Sequence, residues 1–119
     1  NETKKILDKS IDVTATCVRV PVLVSHAESL NIEFEKEFTL EKIINLLENA
    51  DGCKVVNDQR DGGYMTQLEA AGKDETFISR IRKDNTNEKA INLWIVSDNL
   101  LRGAALNAVE IAEAYIKRK

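Results

Sequence analysis

The sequence predicts an α+β domain, a mostly antiparallel or mixed sheet with helices packed on one face. Three observations carry that expectation. Stretches of strand-like character alternate with amphipathic helical stripes in the order strands, helix, strands, helix. The chain has 119 residues, 43% hydrophobic and 31% charged, enough for one core and too few for two ordinary domains. Several strands are apolar on both sides, so the second sheet face calls for cover by a partner subunit or another domain.

Taken in order, residues 2–9 read as a short charged helix carrying Ile6 and Leu7. Residues 13–24 are β-branched, with Val18, Val20, Val22 and Val24 on one side and Cys17, Arg19, Pro21 and Leu23 on the other, which predicts a strand. Pro21 cannot donate to a ladder and places that strand at an edge, a bulge or an end. Residues 29–38 alternate more cleanly, Leu30, Ile32 and Phe34 inward and Asn31, Glu33 and Glu35 outward. Thr39 then offers an N-cap to a helix whose apolar positions, Leu40, Ile43, Ile44 and Leu47, follow at helical spacing until Asp51-Gly52.

Residues 54–57 predict a short strand and 58–63 a turn-rich loop, while 66–74 show no clear period. Two further strands, 77–82 and 90–96, are joined by the polar connection 83–89 and so pair antiparallel. Asp98 or Asn99 caps a last helix reaching about Lys117. Leu101, Ala104, Ala105, Ala108, Ile111, Ala112, Tyr115 and Ile116 are expected to form its buried stripe.

Charge and composition exclude several classes. Seventeen Lys+Arg against twenty Asp+Glu give a net charge of −3, without the basic excess that suits nucleic acid or an anionic membrane. The longest apolar runs, such as residues 20–24, fall far short of the roughly 18 residues of a membrane span. No secretory leader pattern opens the chain. Two cysteines and one histidine cannot assemble an N/S metal site, so no metal and a reducing cytoplasm are expected. Cys17, inside an alternating stretch, reads as a buried structural thiol.

Three places can carry chemistry. His26, the sole histidine, follows the first predicted strand; it is either a proton-transfer group near neutral pH or an ordinary strand-end residue. Arg19, a cation among valines, either grips a carboxylate or phosphate with its fork or reaches solvent from an edge. On one continuous strand the two would stand about 23 Å apart on opposite faces at roughly 3.3 Å per residue, so a shared substrate requires a bend at Pro21 or Ser25. The start of the last helix, Ser97-Asp98-Asn99 followed by the small residues Gly103 and Ala104, either receives a polar ligand or is an ordinary capped end.

Ordered strings along nearly the whole chain resemble the aspartate-semialdehyde dehydrogenase family: Thr14-Ala15-Thr16-Cys17-Val18-Arg19-Val20-Pro21-Val22 with His26 seven after Arg19, then Leu68-Glu69-Ala70-Ala71-Gly72-Lys73-Asp74-Glu75, Ile78-Ser79-Arg80-Ile81-Arg82, Asn92-Leu93-Trp94 and Asp98-Asn99-Leu100. The resemblance implies a glyceraldehyde-phosphate-dehydrogenase-like C-terminal catalytic and dimerisation domain, spanning residues 1–119, with the NADP-binding domain outside this chain. It implies reduction of L-aspartyl 4-phosphate by NADPH to L-aspartate 4-semialdehyde, with release of phosphate, by a cytoplasmic homodimer of amino-acid biosynthesis. His26 matches the family's acid/base residue, Arg19 the arginine that holds the substrate carboxylate, and Asn99 the residue contacting the nicotinamide portion of NADP. Neither Cys17 nor Cys53 matches the nucleophile's motif, so the isolated chain is expected to be inactive. The family usually has Gly before the histidine and Ser after it, where this chain has Ser25 and Ala27, and its proline-rich tyrosine segment reads here Tyr64-Met65-Thr66-Gln67. The alternative is a non-catalytic α+β module that dimerises or binds a small molecule.

Overall fold

The computed structural model describes residues 2–118. Its elements are α1 (Glu2–Ile6), β1 (His26–Glu33), α2 (Leu40–Glu48), β2 (Cys53–Val56), α3 (Gln67–Ala70), β3 (Thr76–Lys83), β4 (Ala90–Ser97), a π-helical segment (Leu101–Ala105) and α4 (Leu106–Lys117). The four strands form one mixed sheet in the order β1-β4-β3-β2, with β1 and β3 antiparallel to β4 and β2 parallel to β3. A parallel neighbour needs a crossover, and the chain between β2 and β3, which contains α3, supplies it.

The alternation in β1 is realised as expected. Leu30 and Ile32 turn to the core opposite Leu93 and Ile91, while Asn31 and Glu33 face solvent. β4 is apolar on both faces because each is covered: Ile91, Leu93 and Ile95 face the α2 side, and Trp94 and Val96 the cluster on the other side. Thr39 caps α2 through its hydroxyl, which accepts the Lys42 N–H, and Ile43, Ile44 and Leu47 pack on the sheet beside Ile78, Ile81 and Leu93. Across the sheet a smaller cluster gathers Ala70, Phe77 and Val96 under α3 and the crossover, with Met65 and Trp94 at its rim. Each such fully buried large apolar side chain contributes about 1.5–3 kcal/mol.

Ile78 and Ile81 share one face although three apart, a spacing that a regular strand forbids. A β-bulge resolves it: Arg80 and Ile81 together oppose Leu93, and Arg80 takes a left-handed φ of 55°. The bulge frees the Ile81 N–H from the ladder, and the Asn57 side-chain oxygen accepts it at 3.0 Å. The Arg80 guanidinium lies 5.6 Å from the centre of the Tyr64 ring. The stretch without a clear period contains α3, held by a capping box between Thr66 and Glu69, a Thr-x-x-Glu pattern already present in the sequence.

Two expectations fail. Residues 13–24 form no strand; they run irregular and exposed, with bends at Pro21, Leu23 and Val24, and Val18 is 75% exposed. β-branched composition favours a pleated ladder only when a neighbouring strand pairs with it, and both edges of this sheet lie elsewhere. Cys17 is accordingly exposed rather than buried. The last helix forms, but its predicted stripe is not buried. Ile111, Tyr115 and Ile116 are exposed, Ile116 by 70%, and α4 simply continues the π-helical segment before it. Only α2, not both main helices, covers the sheet.

Candidate functional site

His26 opens β1 rather than following a strand, and its ladder partner is Ser97, the last residue of β4. That one pairing sets His26 beside Ser97-Asp98-Asn99, some seventy positions along the chain. The connection is direct. The Ser25 N–H donates to the Asn99 side-chain oxygen at 2.7 Å. Ser25 is 3% exposed, has φ 82°, and its hydroxyl is buried without a hydrogen-bond partner among the described residues. A left-handed φ is where glycine is at ease and serine is not, which gives the glycine of the family pattern a physical reason at this position.

Asp98, 4% exposed, anchors the turn that presents Asn99. One carboxylate oxygen accepts the N–H groups of Leu100 and Leu101, and the other accepts that of Gly72 at 2.7 Å. These donors, Gly72 foremost, hold the carboxyl below the usual carboxylate range. The backbone carbonyl of Asp98 accepts from Arg102 at i+4 and from Gly103 at i+5, and that of Leu100 from Ala105, the wider i+5 spacing that makes the first turns a π-helix. Arg102 pins the same turn from the other side: Nε donates to the Asp74 carbonyl at 2.8 Å and the guanidinium pairs with Glu110. Its plane lies over Gly52, whose φ is 73° and where a Cβ would meet the guanidinium at 2.8 Å. Glycine is required there for both reasons.

The fold thus brings His26 and Asn99 together, while Arg19 is exposed in the irregular segment seven residues earlier, which bends at Pro21 and again at Leu23 and Val24 before the left-handed Ser25. Cys53 stands on β2, at the opposite edge of the sheet from β1, roughly 14 Å away across three strand spacings of about 4.8 Å. Spacing alone did not mark Ser25, Asp98 and Arg102 as parts of one assembly; the Asp98 cap was the only signal.

A second concavity of about 630 Å³ opens on the sheet face away from α2, lined by Ser29, Gln59, Tyr64, Arg80, Arg82 and Trp94 among others. The Trp94 indole N–H donates to the Met65 carbonyl at 2.8 Å and the Met65 N–H to the buried Ser79 hydroxyl at 3.2 Å, so the crossover is stitched to this face.

The domain is an α+β sheet with one face under α2 and the other partly covered by α3 and the crossover. The chain belongs to the semialdehyde dehydrogenase dimerisation-domain family, whose model matches residues 1–102. It is 46% identical over 119 residues to the aspartate-semialdehyde dehydrogenase of Prochlorococcus marinus, covering 99% of this chain and 35% of that protein. To that of Aquifex aeolicus it is 45% identical over 117 residues, covering 98% and 34%. Among solved structures, aspartate semialdehyde dehydrogenase II of Vibrio cholerae in complex with ASA aligns with a TM-score of 0.89 at 42% identity, over 98% of this chain and 34% of that one. The chain therefore spans about a third of the length of these relatives. No helix among the described residues is long and apolar enough to cross a membrane.

Proposed function

We propose that this chain is the catalytic and dimerisation part of an aspartate-semialdehyde dehydrogenase, which reduces L-aspartyl 4-phosphate to L-aspartate 4-semialdehyde and releases phosphate. The observation that carries this reading is the pairing of His26 with Ser97, which seats the sole imidazole beside the Asn99 turn in a chain of this family. NADPH, when bound, supplies the hydride. Asn99 fits a nicotinamide carboxamide because a side-chain amide both donates and accepts, and its amide nitrogen remains for a ligand while its oxygen holds Ser25. His26 is exposed, so its ring can reach a substrate and move a proton to or from the reacting carbonyl oxygen. Arg19, exposed seven residues before His26, binds the substrate's α-carboxylate through its two-pronged fork. The thiolate that an acyl-phosphate reduction uses comes from residues outside this chain, since neither Cys17 nor Cys53 matches the nucleophile's motif and Cys53 stands on β2, at the far edge of the sheet from His26.

The homodimer forms through the sheet face opposite α2, where Ser29, Asn31, Trp94 and Arg82 point out beyond the crossover. The protein acts in the cytoplasm. The test is a pair of variants in the full-length protein that contains this chain. His26→Ala is expected to lower kcat by roughly 10²–10⁴-fold with KM little changed. Arg19→Lys is expected to raise KM for aspartyl phosphate more than it lowers kcat, because an ammonium cannot form the two-pronged contact. Unchanged turnover in His26→Ala overturns the reading.

A further inference from the structure

Ser25 occupies a backbone region that residues with a Cβ rarely enter, at φ 82°, immediately before the first ladder pair of β1. Its hydroxyl is buried and has no hydrogen-bond partner among the described residues, so it makes none of the turn-forming bonds that serine usually supplies. Its N–H is taken instead by Asn99, 74 residues away in sequence, at 2.7 Å. Asn99 can serve as a fixed acceptor because its neighbour Asp98 is tied by three N–H donors and Arg102 clamps the following turn. The direction in which the chain enters β1 is therefore held by one side-chain carbonyl, beside the His26–Ser97 ladder pair that fixes the strand itself.

We propose that Asn99 is a positioning residue for His26: its side-chain oxygen holds the left-handed Ser25 turn and so sets the imidazole, a role separate from any contact its amide nitrogen makes with a nicotinamide. This rests on the assignment of His26 as the proton-transfer group. One amide would then link the cofactor side of the site to the acid/base side, and its loss would displace the ring rather than merely weaken cofactor binding. A displacement of about 1 Å of a catalytic group costs on the order of 10²-fold in rate.

The chain's single histidine makes the proposal directly readable, since one imidazole resonance reports one residue. In the 119-residue chain, the Ser25 amide proton is expected to be shifted downfield and slow to exchange. Asn99→Ala should abolish both features and move the His26 ring signal. Asn99→Asp, which keeps an acceptor oxygen, should restore the Ser25 amide. Should Asn99→Ala not fold, Asn99→Ser takes its place, well suited to a helix start but with its oxygen one bond short of Ser25. In the full-length enzyme, the Ala or Ser variant is expected to lower kcat by about 10²-fold, with Asn99→Asp recovering part of it. A fast-exchanging Ser25 amide in the unaltered chain, or a His26 signal that stays put when that amide is released, overturns the proposal. So does a variant that raises KM for NADPH with kcat intact. If His26→Ala retains full turnover while the Ser25 and His26 signals respond as expected, the catalytic reading fails and the structural coupling stands.

Discussion

Replacing Ser25 by glycine should stabilise the domain, an unusual expectation for removing a buried side chain. At φ 82° a residue with a Cβ carries a cost of about 1–2 kcal/mol that glycine escapes. The hydroxyl is buried and unpaired, and leaving such a group without a partner costs about 1–3 kcal/mol, which the substitution also removes. Against these stand the greater freedom of glycine in the unfolded chain, about 0.5–1 kcal/mol, and the lost packing of one methylene, about 0.8 kcal/mol. The balance is a gain of about 0–4 kcal/mol, centred near 2 kcal/mol. With an unfolding entropy of about 2.1 cal/mol/K per residue over 119 residues, each kcal/mol moves Tm by about 4 °C, so Ser25→Gly should raise Tm by about 8 °C in a calorimetric scan. Ser25→Ala separates the two contributions, because it deletes the hydroxyl but keeps the left-handed cost, and should raise Tm by less. A Ser25→Gly variant that melts at or below the parent temperature refutes the reasoning. An alanine variant that matches the glycine one shows that the backbone conformation contributes nothing.

Phe77→Ala, at a residue 2% exposed in the smaller core cluster, should cost about 3–5 kcal/mol in urea unfolding; a loss under 1 kcal/mol would mean that this side of the sheet is not packed as described. Asp84 is held at about 2, chiefly by the Thr86 hydroxyl and N–H and then by Asn31 and Asn92, against an ordinary 3.8. A depressed carboxylate stabilises the fold above its unfolded value and loses that contribution as pH falls from about 4 to about 2, so Asp84→Asn should flatten stability against pH in that window. Equal slopes for the two proteins would show that the Thr86 bonds do not persist in solution. If the sheet face away from α2 joins two copies, Ser29→Arg, which adds a third cation beside Arg80 and Arg82, should shift sedimentation from dimer towards monomer; an unchanged dimer places the interface elsewhere.

Local pattern was sufficient wherever an element's partners lie close in sequence or its surface is amphipathic in one register. The Thr39 cap and the helical spacing of Leu40, Ile43, Ile44 and Leu47 specified α2 because capping and periodicity act within a few residues. The alternation of Leu30, Ile32 and Phe34 specified which face of β1 is wet, and the 83–89 connection specified the antiparallel pairing of β3 with β4. The Thr66 and Glu69 capping box was equally local and went unread for want of an apolar period behind it. His26 and Asn99 were recognisable one by one, from residue chemistry and family resemblance. That they meet was decided by the tertiary structure alone, through the pairing of β1 with β4 and the carbonyl that Asn99 extends to Ser25. The same limit explains both failures. Residues 13–24 and the stripe on α4 are apolar in regular patterns, yet both are largely exposed among the described residues. Periodicity records that a face favours removal from water; whether any other surface covers it depends on contacts between distant segments, which no local pattern contains.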